Sequence, residues 1–292
     1  MNKKKNIIII ICLLIVILSS LAVCYFLRSK KSVEVEQMVF YDRVYLNDND
    51  TTLGAISINL NIELPTTYIK KDVLANIKTI LKAELFGELY MSTPEDSVLS
   101  HYANDLKNDY IDTNKDFAQR IKQESLMSFN NEVILEGFSL LNDSHIFSYG
   151  ISRFVDFGGA HPIKTRKFYN FDLKTGNVIF EEDIFKDNSL QELAEIMKLK
   201  LKQDLSDKHD QNNYNGYISE SDYSFDDVKP NHNFYVNDES ICFVFNPYDI
   251  APYYIGETVI EIPYKSIEHL FKTKNPLSYL INNINQSNNS TN

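Results

Sequence analysis

Residues 56–87, ISINLNIELPTTYIKKDVLANIKTILKAELFG, change hydrophobic period once, and that change decides the fold class. Ile56, Ile58, Leu60, Ile62 and Leu64 alternate with Ser57, Asn59, Asn61 and Glu63, the period-2 pattern of a half-buried strand ending at Pro65. Val73, Leu74, Ile77, Ile80, Leu81 and Leu85 then fall on one helical stripe that stops at Gly87.

Working outward, residues 39–46, VFYDRVYL, are expected to pair with the 56–64 strand. Thr93-Pro94-Glu95-Asp96 reads as a helix start, with Thr93 as cap and Pro94 in the first turn. Val98, Leu99, Tyr102, Leu106 and Tyr110 form the buried face of that helix, and helical sequence runs to about Ser125. Two strands, VILEGFSLL and HIFSYGISRFVDF, flank an Asn142-Asp143-Ser144 hairpin turn. TRKFYNFDL follows, closed by Lys174-Thr175-Gly176-Asn177, where Gly176 supplies a conformation that β-carbons resist.

Ser189 and Glu192 have capping-box spacing for a helix to about Leu205, with Leu190, Leu193, Met197 and Leu201 inward. Residues 206–232 lack a period and are rich in Asp, Asn and Ser, a loop long enough to be a functional lid or mobile. Strands return at ICFVFNPYDIAPYYIG and TVIEIPY, then a short helix near Ile267–Phe271. Strands and helices alternate without a regular βαβ rhythm or a nucleotide fingerprint, so the class is α+β. The expectation is two mixed subdomains, 35–143 and 144–275, with antiparallel sheets packed by helices, and a disordered tail over 276–292.

The N-terminus sets location. Residues 1–31 carry Lys3, Lys4, Lys5, Arg28, Lys30 and Lys31, no acid, and an uncharged run from Asn6 to Leu27. At about 1.5 Å per helical residue that run can cross a bilayer core of about 30 Å. We read 1–31 as a cytoplasmic stub and uncleaved membrane anchor, with the bulk of the chain extracytoplasmic. A cleaved signal peptide has a shorter apolar core, and a lipoprotein signal at Cys24 is disfavoured by bulky Val23 and by the apolar Tyr25-Phe26-Leu27 that follow. Basic residues flank both ends of the run, so charge decides orientation only weakly.

Beyond the anchor, 23 of the chain's 29 basic residues and all 40 acidic ones remain, a balance of about −17. Nucleic acid is excluded by the sign, and cationic partners or simple solubility are favoured. Only Cys242 lies outside the anchor, so no disulfide and no cysteine-based zinc site is available there. No cofactor and no metal ligand set is read.

The stretch FVDFGGAHP, residues 154–162, ends a strand on two glycines, a histidine and a proline. Either the glycines permit a sharp bend that Pro162 closes, or His161 meets a ligand there with Asp156, Gly158 and Gly159, joined by Tyr248, Asp249 and Tyr253 of the later motif. The corner reading is preferred, because a lone histidine defines no chemistry and no HExxH or GxSxG accompanies it. In PYDIAPYYIG, tyrosines in a packed turn with Pro247 and Pro252 compete with a Tyr-lined contact surface.

GGAHP, NFDLKTGNVIFEEDIF and FVFNPYDIAPYYIGETVIEIPY together resemble the extracytoplasmic domain shared by the lysozyme-sensing anti-sigma factor RsiV and the non-catalytic N-terminal region of the peptidoglycan deacetylase PdaC. The resemblance covers about residues 145–270 and is looser over 40–143. It implies an envelope binding domain, and in the anti-sigma member an ectodomain that binds lysozyme. About five residues precede the apolar run and no deacetylase domain follows, so sigma-factor signalling and deacetylation are not expected of this polypeptide. The expected function is a membrane-tethered binding module, anchored through residues 6–27, recognising a cationic envelope protein such as lysozyme, or a cell-wall glycan. The alternatives are an envelope-polymer hydrolase using His161 with a carboxylate such as Asp156, and a structural assembly component.

Overall fold

A computed structural model of the chain describes Ile17 and residues 32–120, 129–211 and 218–283. The protein is α+β. Its order is β1 (Glu34–Tyr45), β2 (Ala55–Thr67), α1 (Lys71–Phe86), α2 (Val98–Arg120), β3 (Asn131–Asn142), β4 (Ile146–Asp156), β5 (Ile163–Asp172), the single turn α3 (Glu181–Ile184), α4 (Leu190–Gln211), β6 (Phe234–Val236), β7 (Ser240–Phe245) and β8 (Thr258–Pro263). Strands β1–β5 form one sheet in sequence order, and β6–β8 a second.

Alternation along β2 puts Ile56, Ile58, Leu60 and Ile62 under the stripe Val73, Ile77, Leu81 and Leu85 of α1, and all eight are buried in one core. Each such side chain contributes on the order of 1.5–3 kcal/mol as an upper estimate. Pro65 does not end β2, which runs on to Thr67. It pairs with Val35, beside a register shift at Glu34/Val35, an irregularity that tolerates a residue with no N–H.

The expectation of antiparallel sheets holds for β6–β8 but not throughout the first sheet. β2 and β3 are parallel, with Ile56 opposite Asn131 and Ile62 opposite Gly137. Parallel neighbours require a crossover, and α1 and α2 supply it. The expected division at 143/144 falls in the β3–β4 turn, inside this sheet. Phe147, Tyr149, Ile151, Tyr169 and Phe171 lie in the same core as β2 and α1, while α4 and the second sheet enclose another around Leu193, Met197, Phe243 and Ile260.

Two start signals are corrected. α2 begins at Val98, and Thr93-Pro94 belong to the turn before it, where the Pro94 carbonyl accepts from the Ser97 N–H. At the start of α4 the Ser189 hydroxyl donates to the Lys186 and Leu270 carbonyls, while the Glu192 carboxylate faces the His269 ring at 2.9 Å, so the capping box is replaced by long-range contacts. The tail is also corrected in part: residues 278–283 are helical, with Leu277 and Leu280 buried and the Tyr279 hydroxyl donating to Asp143 at 2.5 Å.

Among the described residues no helix is long and apolar enough to cross a membrane. The run 6–27 read as an anchor lies outside the described residues apart from Ile17.

The two sheets meet along β5. Its outward backbone groups are taken by asparagine side chains: Asn233 accepts from the Phe168 N–H and donates to the Arg166 carbonyl, and Asn246 accepts from the Arg166 N–H and donates to that same carbonyl. Buried Asn170 completes the seam, accepting from Ser148 and donating to the Phe234 carbonyl.

Candidate functional site

FVDFGGAHP lies at the end of β4 and forms the connection to β5, which closes with Val155 opposite Ile163. Gly158 sits at φ 72°, a left-handed conformation that favours glycine, and the Asp156 carboxylate accepts from its N–H at 2.9 Å. Asp156 is thus a turn residue. A side chain at Gly159 would meet open space, so no crowding demands glycine there.

The second half of the site is the segment after β7. The Asp249 carboxylate accepts from the Asn246 N–H at 2.7 Å, and the Tyr248 N–H donates to the Ala251 carbonyl at 3.0 Å. This tight turn holds Tyr248 at φ 75°, a conformation that costs a non-glycine residue on the order of 1–2 kcal/mol. The strain lets the Tyr248 ring reach back over the β4–β5 connection.

Both halves meet at His161. Its ring stacks on Tyr253 with centroids 3.9 Å apart and 20° between planes, Nε2 lies 3.0 Å from the Tyr248 hydroxyl, and Nδ1 lies 3.1 Å from the Pro162 carbonyl. Three of the residues singled out from sequence, His161, Tyr248 and Tyr253, therefore form one aromatic cluster, while Asp156, Gly158 and Asp249 shape the turns that carry it. The corner and the contact surface are one object.

The cluster faces solvent. Phe157, Ile163, Tyr248 and Tyr254 are 62%, 51%, 63% and 66% exposed, high for large apolar side chains on two adjoining loops. A groove of about 390 Å³ runs beside it, floored by Lys164 and Arg166 and walled by Tyr253, Tyr254 and Glu257. Arg166 pairs with Glu257 at 3.1 Å. The Tyr254 hydroxyl donates to Asp222 at 2.6 Å and fixes the acidic 218–232 segment to the corner. The Ser219 N–H and then Tyr254 hold the Asp222 carboxyl below its usual range, so it stays ionised.

Sequence reasoning missed a second constellation. Buried Glu181, in α3, accepts from the His232 backbone N–H at 2.8 Å and faces His232 Nδ1 at 2.6 Å. Glu182 lies 4.0 Å from Nε2, and these are the three residues among those described whose ligand atoms lie close enough to share a cation. Fifty-one residues separate Glu181 from His232, so no spacing could reveal the pair.

Comparison with known proteins follows these lines. Residues 182–265 match the model of a family described as protein of unknown function (DUF3298). That span holds the Tyr248–Tyr253 half of the corner and lies within the 145–270 region whose resemblance is noted above. A crystal structure of a DUF3298 family member from Bacteroides fragilis is similar at TM-score 0.73 and 24% identity, covering 84% of this chain and 95% of that one. A DUF3298 family protein from Pseudomonas aeruginosa aligns at TM-score 0.48 and 16% identity, covering 82% of this chain and 95% of that one. No curated protein matches the chain. The chain is thus an α+β protein with a DUF3298-type region, and the Bacteroides structure shares its fold.

Proposed function

We propose that the protein is a membrane-tethered extracytoplasmic binding module whose recognition surface is the His161–Tyr248–Tyr253 corner, and whose partner is a cationic envelope protein of lysozyme type. The observation that carries the reading is the exposed aromatic cluster itself: two loops distant in sequence spend backbone strain at Tyr248 to present stacked rings to solvent. Rigid aromatic side chains with polar tips make large contact area at low entropic cost. Asp222 and Glu257 border the surface, and the chain beyond the anchor carries about −17, both suited to a basic partner. The apolar run 6–27 supports the tether, and the resemblance to the lysozyme-sensing family supports the choice of partner.

A hydrolase using His161 with Asp156 fits less well. Both ring nitrogens face Tyr248 and Pro162, and the Asp156 carboxylate is engaged by Gly158, whereas general-base catalysis needs a carboxylate or substrate proton within about 3 Å.

Calorimetric titration of the full-length chain in detergent with a basic lysozyme, at low and high salt, tests the reading. Binding should be saturable, weaken with salt as exposed charges are screened over about 8 Å, and fall by roughly tenfold or more in Tyr253→Ala. Peptidoglycan turnover lost in His161→Ala would favour the hydrolase instead, and binding to glycan strands alone would move the partner from protein to polymer.

A further inference from the structure

We propose that the cleft between β5 and the segment entering β6 binds a small ligand bearing oxyanion groups, carboxylate or phosphate. The cleft holds about 590 Å³, within the size range of small-molecule sites, and adjoins the groove beside the aromatic corner, with which it shares Arg166. Arg153, Arg166, Lys167, Lys229 and His232 line it. Cationic side chains thus outnumber the two lining carboxylates, Asp227 and Asp249, in a protein whose balance beyond the anchor is about −17.

His232 faces the Glu181 carboxylate, Lys167 that of Glu84 and Arg166 that of Glu257, which leaves Lys229. Lys229 is exposed and makes no hydrogen bond or ion pair among the described residues. Arg166 pairs through Nη1 with Glu257, and its Nε is buried with no hydrogen-bond partner among the described residues. That Nε is out of reach of solvent, so a ligand meets the exposed part of the guanidinium, whose side chain is 37% exposed, and an oxyanion is the acceptor a guanidinium fits best. The two acids in the lining are engaged by their own turns, Asp227 by the Ser224 hydroxyl and Asp249 by the Asn246 N–H. Arg153 and Lys167 are more committed, Arg153 to the Glu84 and Leu85 carbonyls and Lys167 to the Glu84 carboxylate, so Lys229 and Arg166 form the ligand end. The long-range repulsion of the acidic body excludes large polyanions and leaves small ones, for which close contacts outweigh the screened field.

The test is calorimetry of the full-length chain in detergent with inorganic phosphate and, separately, citrate, at ionic strength held constant with chloride. Saturable heat is expected with at least one probe, and which one responds separates a phosphate ligand from a carboxylate ligand. Lys229→Gln, on an unpaired exposed side chain, should weaken binding by roughly tenfold while leaving the circular dichroism unchanged. Arg166→Lys keeps the charge, removes the planar guanidinium and should do the same. Lys71→Gln, in the separate groove between β2 and α1, should leave affinity unaltered. No saturable heat with either probe, or equal affinity in the wild type and Lys229→Gln, overturns the proposal.

Discussion

Single residues carry the strain of the aromatic corner and the titration of the Glu181–His232 pair. Tyr248 occupies a left-handed conformation and gives the corner its outermost ring, so its stability cost and its contact role are separable. Tyr248→Gly relieves on the order of 1–2 kcal/mol of backbone strain but loses the His161 hydrogen bond and adds unfolded-state entropy. The denaturant midpoint is expected to stay nearly constant while lysozyme binding is lost, as urea melts and calorimetry on one sample would record. His232 behaves differently. The hydrogen bond to buried Glu181 raises its pKa above the ordinary 6.5, outweighing desolvation. A raised folded-state value means that the pair's contribution is fully present below about pH 6.5 and disappears as pH climbs through that higher value. The melting temperature should therefore fall on the alkaline side of 6.5, and His232→Gln, which can donate but cannot titrate, should flatten that slope.

Elements were legible where one face is buried and the periodic run is long. β2 and α1 announce themselves because the same core removes every second or every third-to-fourth side chain from water. β6 escaped because its three residues are too few for a period to register. Pairing was less visible than existence: alternation along β2 is the same whether β3 runs parallel or antiparallel. The position of the α4 start was legible, but not its capping, because the Ser189 and Glu192 side chains have partners at Leu270 and His269, which local spacing cannot foresee. The β5 seam is a further case, since its asparagines were indistinguishable from loop asparagines until they met backbone. Asn233 is 9% exposed and bonds Phe168, Arg166 and Val244. Asn233→Ala should cost about 1–3 kcal/mol by stranding the buried Phe168 N–H, and chemical denaturation against the wild type measures it. Hydrogen exchange should then quicken at Phe168 before it does in β2.

At the scale of the molecule, composition and topology point in different directions. The bulk charge predicted attraction for basic partners, yet five basic side chains scattered between residues 153 and 232 gather in one cleft, an arrangement visible only once the chain is folded. The aromatic corner was half legible: sequence supplied its members, and folding supplied the stack of His161 on Tyr253. If residues 6–27 tether the protein, carbonate washing should leave the intact chain in the membrane pellet and deletion of residues 1–31 should release it. The same directionality bears on how the fold is built. β2 cannot complete its parallel pairing until β3 arrives, 75 residues later in register, as from Ile56 to Asn131. A chain emerging amino-end first must expose one bare flank of the β1–β2 hairpin throughout that delay, when a second nascent copy can dock there. We expect truncations stopping short of residue 131 to aggregate and the chain carrying all of β3 to β8 to stay dispersed, which would put the hazard of misassembly at birth instead of in the finished protein.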